Sequence, residues 1–379
     1  MNISSIIQNY NFKNITIGSL GGHSGLDVCR GAKAEGFQTV VVAQNGREKT
    51  YDKYYRVNGE IGCVNKCIIV NKFPDILKPE VQEQLQKLNT IFIHNRYFWV
   101  YFNDPASERG ASFSQVENNF NVPIFGTREM LKMEERDVSP NQYDILREAR
   151  IRLPKIFKNP KEIDRLTLTK VNNATRTYER ENFVANSFAE WKKISAEKIK
   201  EKKITQEALD KAVIEEFILG AQVNFNFFYS VINDRLELMG TDTRRQTNLD
   251  GLLRLPANEQ LKLSNFQPHH IETGHIAVTV KESLVEKAYE AGEKFVKACK
   301  KFNPRGIIGP FALQGAIETD GKKEELVVFD VSLRIPGSPG TQFTPYSGYL
   351  FGENISIGRR IAKEIKEAVE QKRLEEILT

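Results

Sequence analysis

Residues 14–20 and 38–43 are short apolar runs, and between them lie the turn Gly21-Gly22-His23-Ser24-Gly25 and a helical pattern over residues 26–35. Strand, turn, helix and second strand within about 30 residues make a βαβ unit, which commits this part of the chain to a parallel sheet covered by helices. Apolar segments at residues 67–70 and 90–94 supply further strands. In such sheets ligands bind outside the carboxyl ends of the strands, which places Ser19 to Ser24 at a binding site. The glycines let backbone approach a ligand, the helix start offers N–H groups to an anion, and His23 and Ser24 add directional hydrogen bonds. A plain strand-to-helix turn with a surface histidine would carry the same residues, so this motif alone decides nothing. His94-Asn95-Arg96 follows another strand, and two polar clusters on neighbouring strand tips would share one pocket.

The chain has 379 residues, more than one ordinary core organises, so more than one domain is expected. Its 40% hydrophobic and 27% charged residues describe a soluble globular protein. No apolar run approaches the roughly 20 residues that span a bilayer, and the N-terminus lacks the pattern of a signal peptide. We therefore expect a cytoplasmic protein with no membrane partner. The four cysteines, Cys29, Cys63, Cys67 and Cys299, suit a reducing compartment, and Cys63 with Cys67 could hold zinc only if further ligands converged. A net charge of +5 is mild. It favours small anions slightly and shows no dense basic stripe, so nucleic acid is not expected as a partner.

The texture changes near residue 125. Residues 130–150 read as charged and helical, with Pro140 early and Pro154 closing the stretch, which suggests a hinge. Residues 166–171 and 182–185 read as two strands around the polar loop 172–180, a possible flap over phosphate groups with Lys170 at the end of its first strand. Residues 198–203 read as a solvated basic helix face. Residues 212–220 read as a strand whose end offers backbone groups to an adenine ring, and residues 236–245 as an antiparallel strand that leaves its charges at the tip. Near the end of the chain, residues 326–334 read as a buried strand. Period two puts Asp330, Ser332 and Arg334 on one face, with Gln314 across from Asp330 on the strand at residues 307–317. A carboxylate beside an arginine suits a magnesium-bound phosphate: oxygen for the hard cation, guanidinium for the phosphoryl oxygens. An amphipathic strand with its polar face in water would show the same alternation.

The order of nucleotide-fold segment, flap, Glu-Glu-Phe-Ile-Leu-Gly linker and paired strands resembles the ATP-grasp superfamily. Within it, Leu20-Gly21-Gly22-His23-Ser24-Gly25-Leu26, Gly31-Ala32-Lys33-Ala34-Glu35-Gly36-Phe37, Phe227-Phe228-Tyr229-Ser230, Asn248-Leu249-Asp250-Gly251, Arg254-Leu255-Pro256-Ala257, Gly309-Pro310-Phe311 and Gly358-Arg359-Arg360-Ile361-Ala362 resemble the archaeal PurP family. The resemblance implies a mixed α/β and α+β ATP-grasp fold. A Rossmann-like parallel-sheet domain would span residues 1–126, an ATP-grasp subdomain with the flap 127–220, and a second subdomain with the metal and substrate site 221–379.

It further implies an ATP-dependent C–N ligase of purine biosynthesis, a 5-formaminoimidazole-4-carboxamide ribonucleotide synthetase. Formate is a poor acyl donor until its oxygen carries a phosphate leaving group. In such ligases ATP phosphorylates formate, and the amine of 5-aminoimidazole-4-carboxamide ribonucleotide (AICAR) then attacks the formyl phosphate. Magnesium or manganese would be the cofactor, with ATP, formate and AICAR as small-molecule substrates and a homo-oligomer as the expected assembly.

By the same resemblance Asp330 and Gln314 would hold the metal, and Lys170 and Arg334 would be catalytic at the phosphates. Lys170, Glu215, Glu216, Phe217 and Ile218 would bind ATP, and His23, Ser24 and Asn248 the substrate nucleotide; Arg176 and Arg180 for ATP, and Thr341 and Thr344 for the substrate's phosphate, are expected from their own side chains in segments that depart from the family. Two departures stand out. The loop 172–180 has no glycine to close backbone amides on phosphate, so Arg176 and Arg180 would substitute side-chain charge. The run after Arg334, Ile335-Pro336-Gly337-Ser338-Pro339-Gly340, is also unusual for the family. A ligase for another carboxylate and amine, or a nucleotide-binding protein without catalysis, are the alternatives.

Overall fold

A computed structural model describes residues 3–96, 113–136, 138–171, 181–263, 266 and 272–379. Arg176 and Arg180, like most of the loop between the two flap strands, lie outside the described residues. Three sheets organise the rest. The first is parallel, with β1 (Thr16–Leu20), β2 (Gln38–Gln44), β3 (Lys66–Val70), β4 (Thr90–Ile93) and β5 (Ile124–Phe125) in the order β3-β2-β1-β4-β5. Its central strands are buried on both faces, which is why they read as unbroken apolar runs. The glycine-rich turn leaves the carboxyl end of β1 and enters the helix Gly25–Ala34.

The second sheet has β6 (Ile156–Phe157), β7 (Thr167–Lys170), β8 (Phe183–Ala185) and β9 (Val213–Glu216) in the order β6-β9-β7-β8. The third has β10 (Ala221–Ser230), β11 (Arg235–Gln246), β12 (Glu272–Ala277), β13 (Gly309–Thr319) and β14 (Glu324–Ser332) in the order β12-β11-β10-β13-β14. All its pairings are antiparallel. The helix Glu282–Phe302 covers its apolar face, where Phe295, Phe311 and Phe227 stack.

Four local readings are corrected. Residues 130–150 are not one helix: a 3-10 stretch, Arg128–Glu134, precedes the helix Gln142–Glu148. Pro140 cannot continue a helix from upstream, and Asn141 starts a new one by accepting from the Tyr143 amide at 2.9 Å while Asp144 accepts from the Asn141 amide at 2.9 Å. The strand expected over 212–220 stops at Glu216. Lys198 is not on a solvated face; it is buried against Glu181 at 2.7 Å. The charges of β11 are not all at its tip, because Asp242 is buried in mid-sheet.

The parallel sheet is clamped to the third by two helices, Gly25–Ala34 and Ile357–Glu370, which cross at glycines. A methyl group on Gly31 would lie 2.2 Å from the Arg359 amide nitrogen, and one on Gly358 would lie 2.3 Å from the Asp27 carbonyl oxygen. The same crossing is sealed by the Gly358 amide, which donates to Asp27 Oδ2 at 3.0 Å, and by Arg359 Nε against Glu35 Oε1 at 2.8 Å. Around it, Ile17, Val28 and Ile93 share one core with Ile361, Ile365 and Leu378. Because backbone rather than a flexible side chain stands in the way, Gly31→Ala should cost at least about 2–3 kcal/mol. Urea denaturation should show this loss, whereas Gly251→Ala, whose methyl meets nothing within 4 Å, should change little.

Candidate active site

Two strand ends and one bulge build one side of the candidate site. In the β13–β14 ladder Gln314 stands opposite Asp330, as the alternation predicts, and the next pair is Gly315 with Val328. Phe329 is therefore an extra residue, a bulge. Its carbonyl oxygen accepts from Lys170 Nζ at 3.0 Å, which ties β14 to the flap strand β7.

Lys170 opens a continuous polar chain. Its Nζ lies 2.5 Å from Glu215 Oε1 on β9, the Tyr143 hydroxyl donates to Glu215 Oε2 at 3.0 Å, and Arg136 Nε donates to Tyr143 at 3.2 Å. Arg136 Nη2 then reaches Asp330 Oδ1 at 2.8 Å. Burial pulls the Lys170 ammonium below the usual lysine range, with Glu215 opposing it. Burial also works against charge on Arg136, yet Asp330 beside it prevails and holds the guanidinium above its ordinary value.

Residues 128–148 also grip the end of β14 directly. Gln142 Oε1 accepts from the Val331 amide at 2.7 Å, and Glu134 Oε1 accepts from the Leu333 amide at 2.5 Å. Glu134 Oε2 lies 3.4 Å from Arg334 Nη2.

The other side is built where the turn after β1 meets the third sheet. Ser24, in a left-handed conformation, donates from Oγ to the Pro336 carbonyl at 2.7 Å. The His23 ring packs against Gly337, where a methyl group would sit 1.6 Å from Cε1. Asn95 Nδ2 braces the turn by donating to the Leu20 carbonyl at 3.1 Å.

His23 Nε2 lies 3.2 Å from Glu272 Oε1, the same oxygen lies 2.9 Å from His275 Nε2, and His275 Nδ1 lies 2.5 Å from Asp242 Oδ2. Asn224 and Asn226 donate to Asp242 at 2.9 and 2.6 Å. Burial disfavours a charged His275, but Asp242 and Glu272 push it up to about 9. Burial keeps His23 below the usual histidine range, reinforced by Arg334 and Arg96. The two halves join through Arg244, which is 3.5 Å from Glu272 and donates to Gln314, whose Nε2 donates to Ser332 at 2.7 Å.

Of the residues expected at a site, Lys170, Glu215, Gln314, Asp330 and Arg334 are brought together around β14, and His23 and Ser24 meet the loop beyond it. Others are placed differently. Glu216 pairs with Arg165 at 2.9 Å on the outer side, the Phe217 amide donates to the Leu166 carbonyl at 2.9 Å, and Ile218 is buried against Ala316 and Val327. Thr341 and Thr344 are buried, and their hydroxyls donate within their own turn, to Ser338 and Thr341 carbonyls at 2.9 and 2.6 Å. Asn248 is exposed at the start of the short helix Leu249–Leu252. His94 is pushed down to about 4 by burial and lies against the backbone of Leu333 and Phe125.

Sequence reasoning missed Arg136, Tyr143, Asp242, Glu272 and His275. The available signal bears only on Asp242: Asn224 and Asn226 stand at alternate positions among the apolar residues of β10, so an adjacent strand must supply them polar partners. No three His, Cys, Asp or Glu side chains among the described residues converge as a metal cage. One carboxylate opposite one amide, Asp330 and Gln314, fits a magnesium ion that arrives on nucleotide phosphates, which needs only one or two protein carboxylates.

The architecture is that of the ATP-grasp ligases. N5-carboxyaminoimidazole synthetase from Staphylococcus aureus, solved with ADP, matches with a TM-score of 0.55 at 13% identity over 92% of this chain and 80% of that one. The PurP protein of IMP biosynthesis from Thermococcus kodakaraensis matches with a TM-score of 0.70 at 25% identity, over 96% and 100% of the two chains. The curated 5-formaminoimidazole-4-carboxamide-1-(beta)-D-ribofuranosyl 5'-monophosphate synthetase of Methanothermobacter thermautotrophicus is 39% identical over 100% of this chain and 98% of its own length. A domain of unknown function, DUF1297, matches residues 190–379, and a protein family of unknown function, DUF1246, matches residues 17–157. The chain belongs to the family of these ribonucleotide synthetases.

Arg136 is the buried cation that Asp330 and Tyr143 share, so its loss removes an ion pair and a hydrogen bond together. Arg136→Leu should lower stability by about 3 kcal/mol, read as a shifted urea midpoint at unchanged slope.

Proposed function

We propose that this chain joins formate to AICAR at the expense of ATP, through formyl phosphate, and releases ADP and phosphate. The observation that carries this reading is the junction at Gln314. Gln314 stands opposite Asp330, the end of the chain from the flap strand, and accepts from Arg244 beside the His23 chain, so a phosphorylated carboxylate and a nucleotide amine would lie next to each other there.

In this reading Lys170 and Arg334 hold the transferring phosphoryl group, and a formate oxygen attacks it in line with the departing ADP. Magnesium, held by Asp330 and Gln314 on the phosphates, would neutralise their charge. The substrate amine then attacks the formyl carbon, the bond from carbon to the phosphate oxygen breaks, and the amine gives up a proton. The buried cations lower the cost of the charge that develops because they are already oriented and shielded from water. His23 and Ser24 hold the nucleotide. No helix among the described residues is long and apolar enough to cross a membrane, which accords with a cytoplasmic enzyme working on small molecules. The exposed Phe343 and Tyr349 suit burial in a homo-oligomer.

Purified protein with MgATP, formate and AICAR should release ADP and the formylated nucleotide in equal amounts. Asp330→Asn, nearly identical in shape, should lower turnover by about 100-fold or more, and because it also breaks the pair with Arg136 an unfolding curve must show that the assayed protein is folded. Absence of ADP with formate and AICAR would refute the reading, and ADP release with a different carboxylate would redirect it to another ligase reaction.

A further inference from the structure

The relay behind His23 has no part in the phosphate chemistry, yet it crosses the molecule. It begins on the turn after β1 and ends in the middle of the third sheet, at the buried Asp242. A structural polar cluster would need only to satisfy its own groups. This one does more: Glu272 Oε1 serves two imidazoles at once, 3.2 Å from His23 Nε2 and 2.9 Å from His275 Nε2. His275 in turn is fixed on its other nitrogen by Asp242, with Ser338 Oγ 3.0 Å away on the same side.

A carboxylate can only accept, so the nitrogen of His23 that faces it carries the proton, and Nδ1 is left as the acceptor. The neutral ring suits its surroundings, which are buried and hold the cationic Arg334 and Arg96. Gly337 closes the other side of the ring, and Ser24 is anchored to Pro336. His23 thus has one orientation and one tautomer.

We propose that Glu272, backed by His275 and Asp242, is the positioning residue for His23, and that this relay sets how tightly the enzyme binds its acceptor nucleotide. The proposal rests on the reading that His23 binds that nucleotide. Glu272 does not touch the reacting atoms; it acts by presenting a preset imidazole. Removing it frees the ring to turn, and binding must then order it anew.

The competing role for Glu272 is to neutralise Arg244, 3.5 Å away. A double-variant cycle separates the two. KM values for AICAR, formate and ATP are measured for wild type, His23→Ala, Glu272→Ala, Glu272→Gln and His23→Ala/Glu272→Ala, with unfolding curves to check that each protein is folded. Glu272→Ala should raise the AICAR KM about tenfold, the value of one charge-assisted hydrogen bond, and leave the ATP KM within about twofold. Glu272→Gln, whose amide oxygen still accepts from His23, should recover most of the loss. The double variant should be no worse than His23→Ala alone, because the two residues act as one unit.

Additive losses in the double variant, or equal rises in the ATP and AICAR KM values, would overturn the proposal and leave Glu272 with Arg244. A wild-type protein that releases no ADP with formate and AICAR would instead refute the formylation reading. Calorimetric titration of the same variants with AICAR then reads the coupling directly, and wild-type protein that fails to bind AICAR overturns the proposal too.

Discussion

The crossing of two helices at Gly31 and Gly358 is the constraint from which the cleft follows. Backbone touches backbone at that point, so the two helices, with the sheets packed on them, are held at one separation with no side chain between them at the crossing. At that separation the turn carrying His23 and Ser24 meets the loop after Arg334 at hydrogen-bonding distance. A wider gap would part His23 from Glu272 and uncouple the two sides of the site. The glycines within two motifs that identify the family from sequence are thus spacers rather than ligand contacts.

The electrostatics follow a common pattern on both sides of the cleft: buried charges are paired with opposite ones, and neutral groups extend the hydrogen-bond chains between them. Tyr143 links Arg136 to Glu215, and Gln314 links Arg244 to Ser332. A buried pair is costly to break because the survivor loses water without gaining a partner. The paired cations are therefore held in one place, which would leave little reorganisation for the proposed chemistry.

Much of the fold was legible because it rests on short-range pattern. Apolar runs gave the parallel strands, period two put Asp330, Ser332 and Arg334 on one face, pairing the two strands put Gln314 across from Asp330, and the polar loop between residues 170 and 183 marked a strand pair. What stayed hidden was set by partners distant in sequence. Asp242 reads as a strand-tip charge until Asn224 and Asn226 on the neighbouring strand satisfy it in mid-sheet. Lys198 reads as solvated until Glu181 faces it. Arg136 and Tyr143 sat inside a stretch that looked like one helix, and only its break at Pro140 turns both toward Glu215 and Asp330. Periodicity says which residues share a face; it does not say what that face will meet.

The bulge at Phe329 has a consequence for how this strand can change length. It leaves β14 with one residue more than its partner needs, placed just before Asp330. Deleting a single residue between the hairpin and the bulge would let the slack be taken up there, and the ladder could close with Asp330, Ser332 and Arg334 still in register. The casualty would be the Phe329 carbonyl that tethers Lys170. The same deletion after Asp330 has no slack to draw on and would turn Ser332 and Arg334 to the opposite face. Tolerance of length change should therefore switch abruptly at one residue, permissive on the hairpin side and forbidden on the side of the cleft.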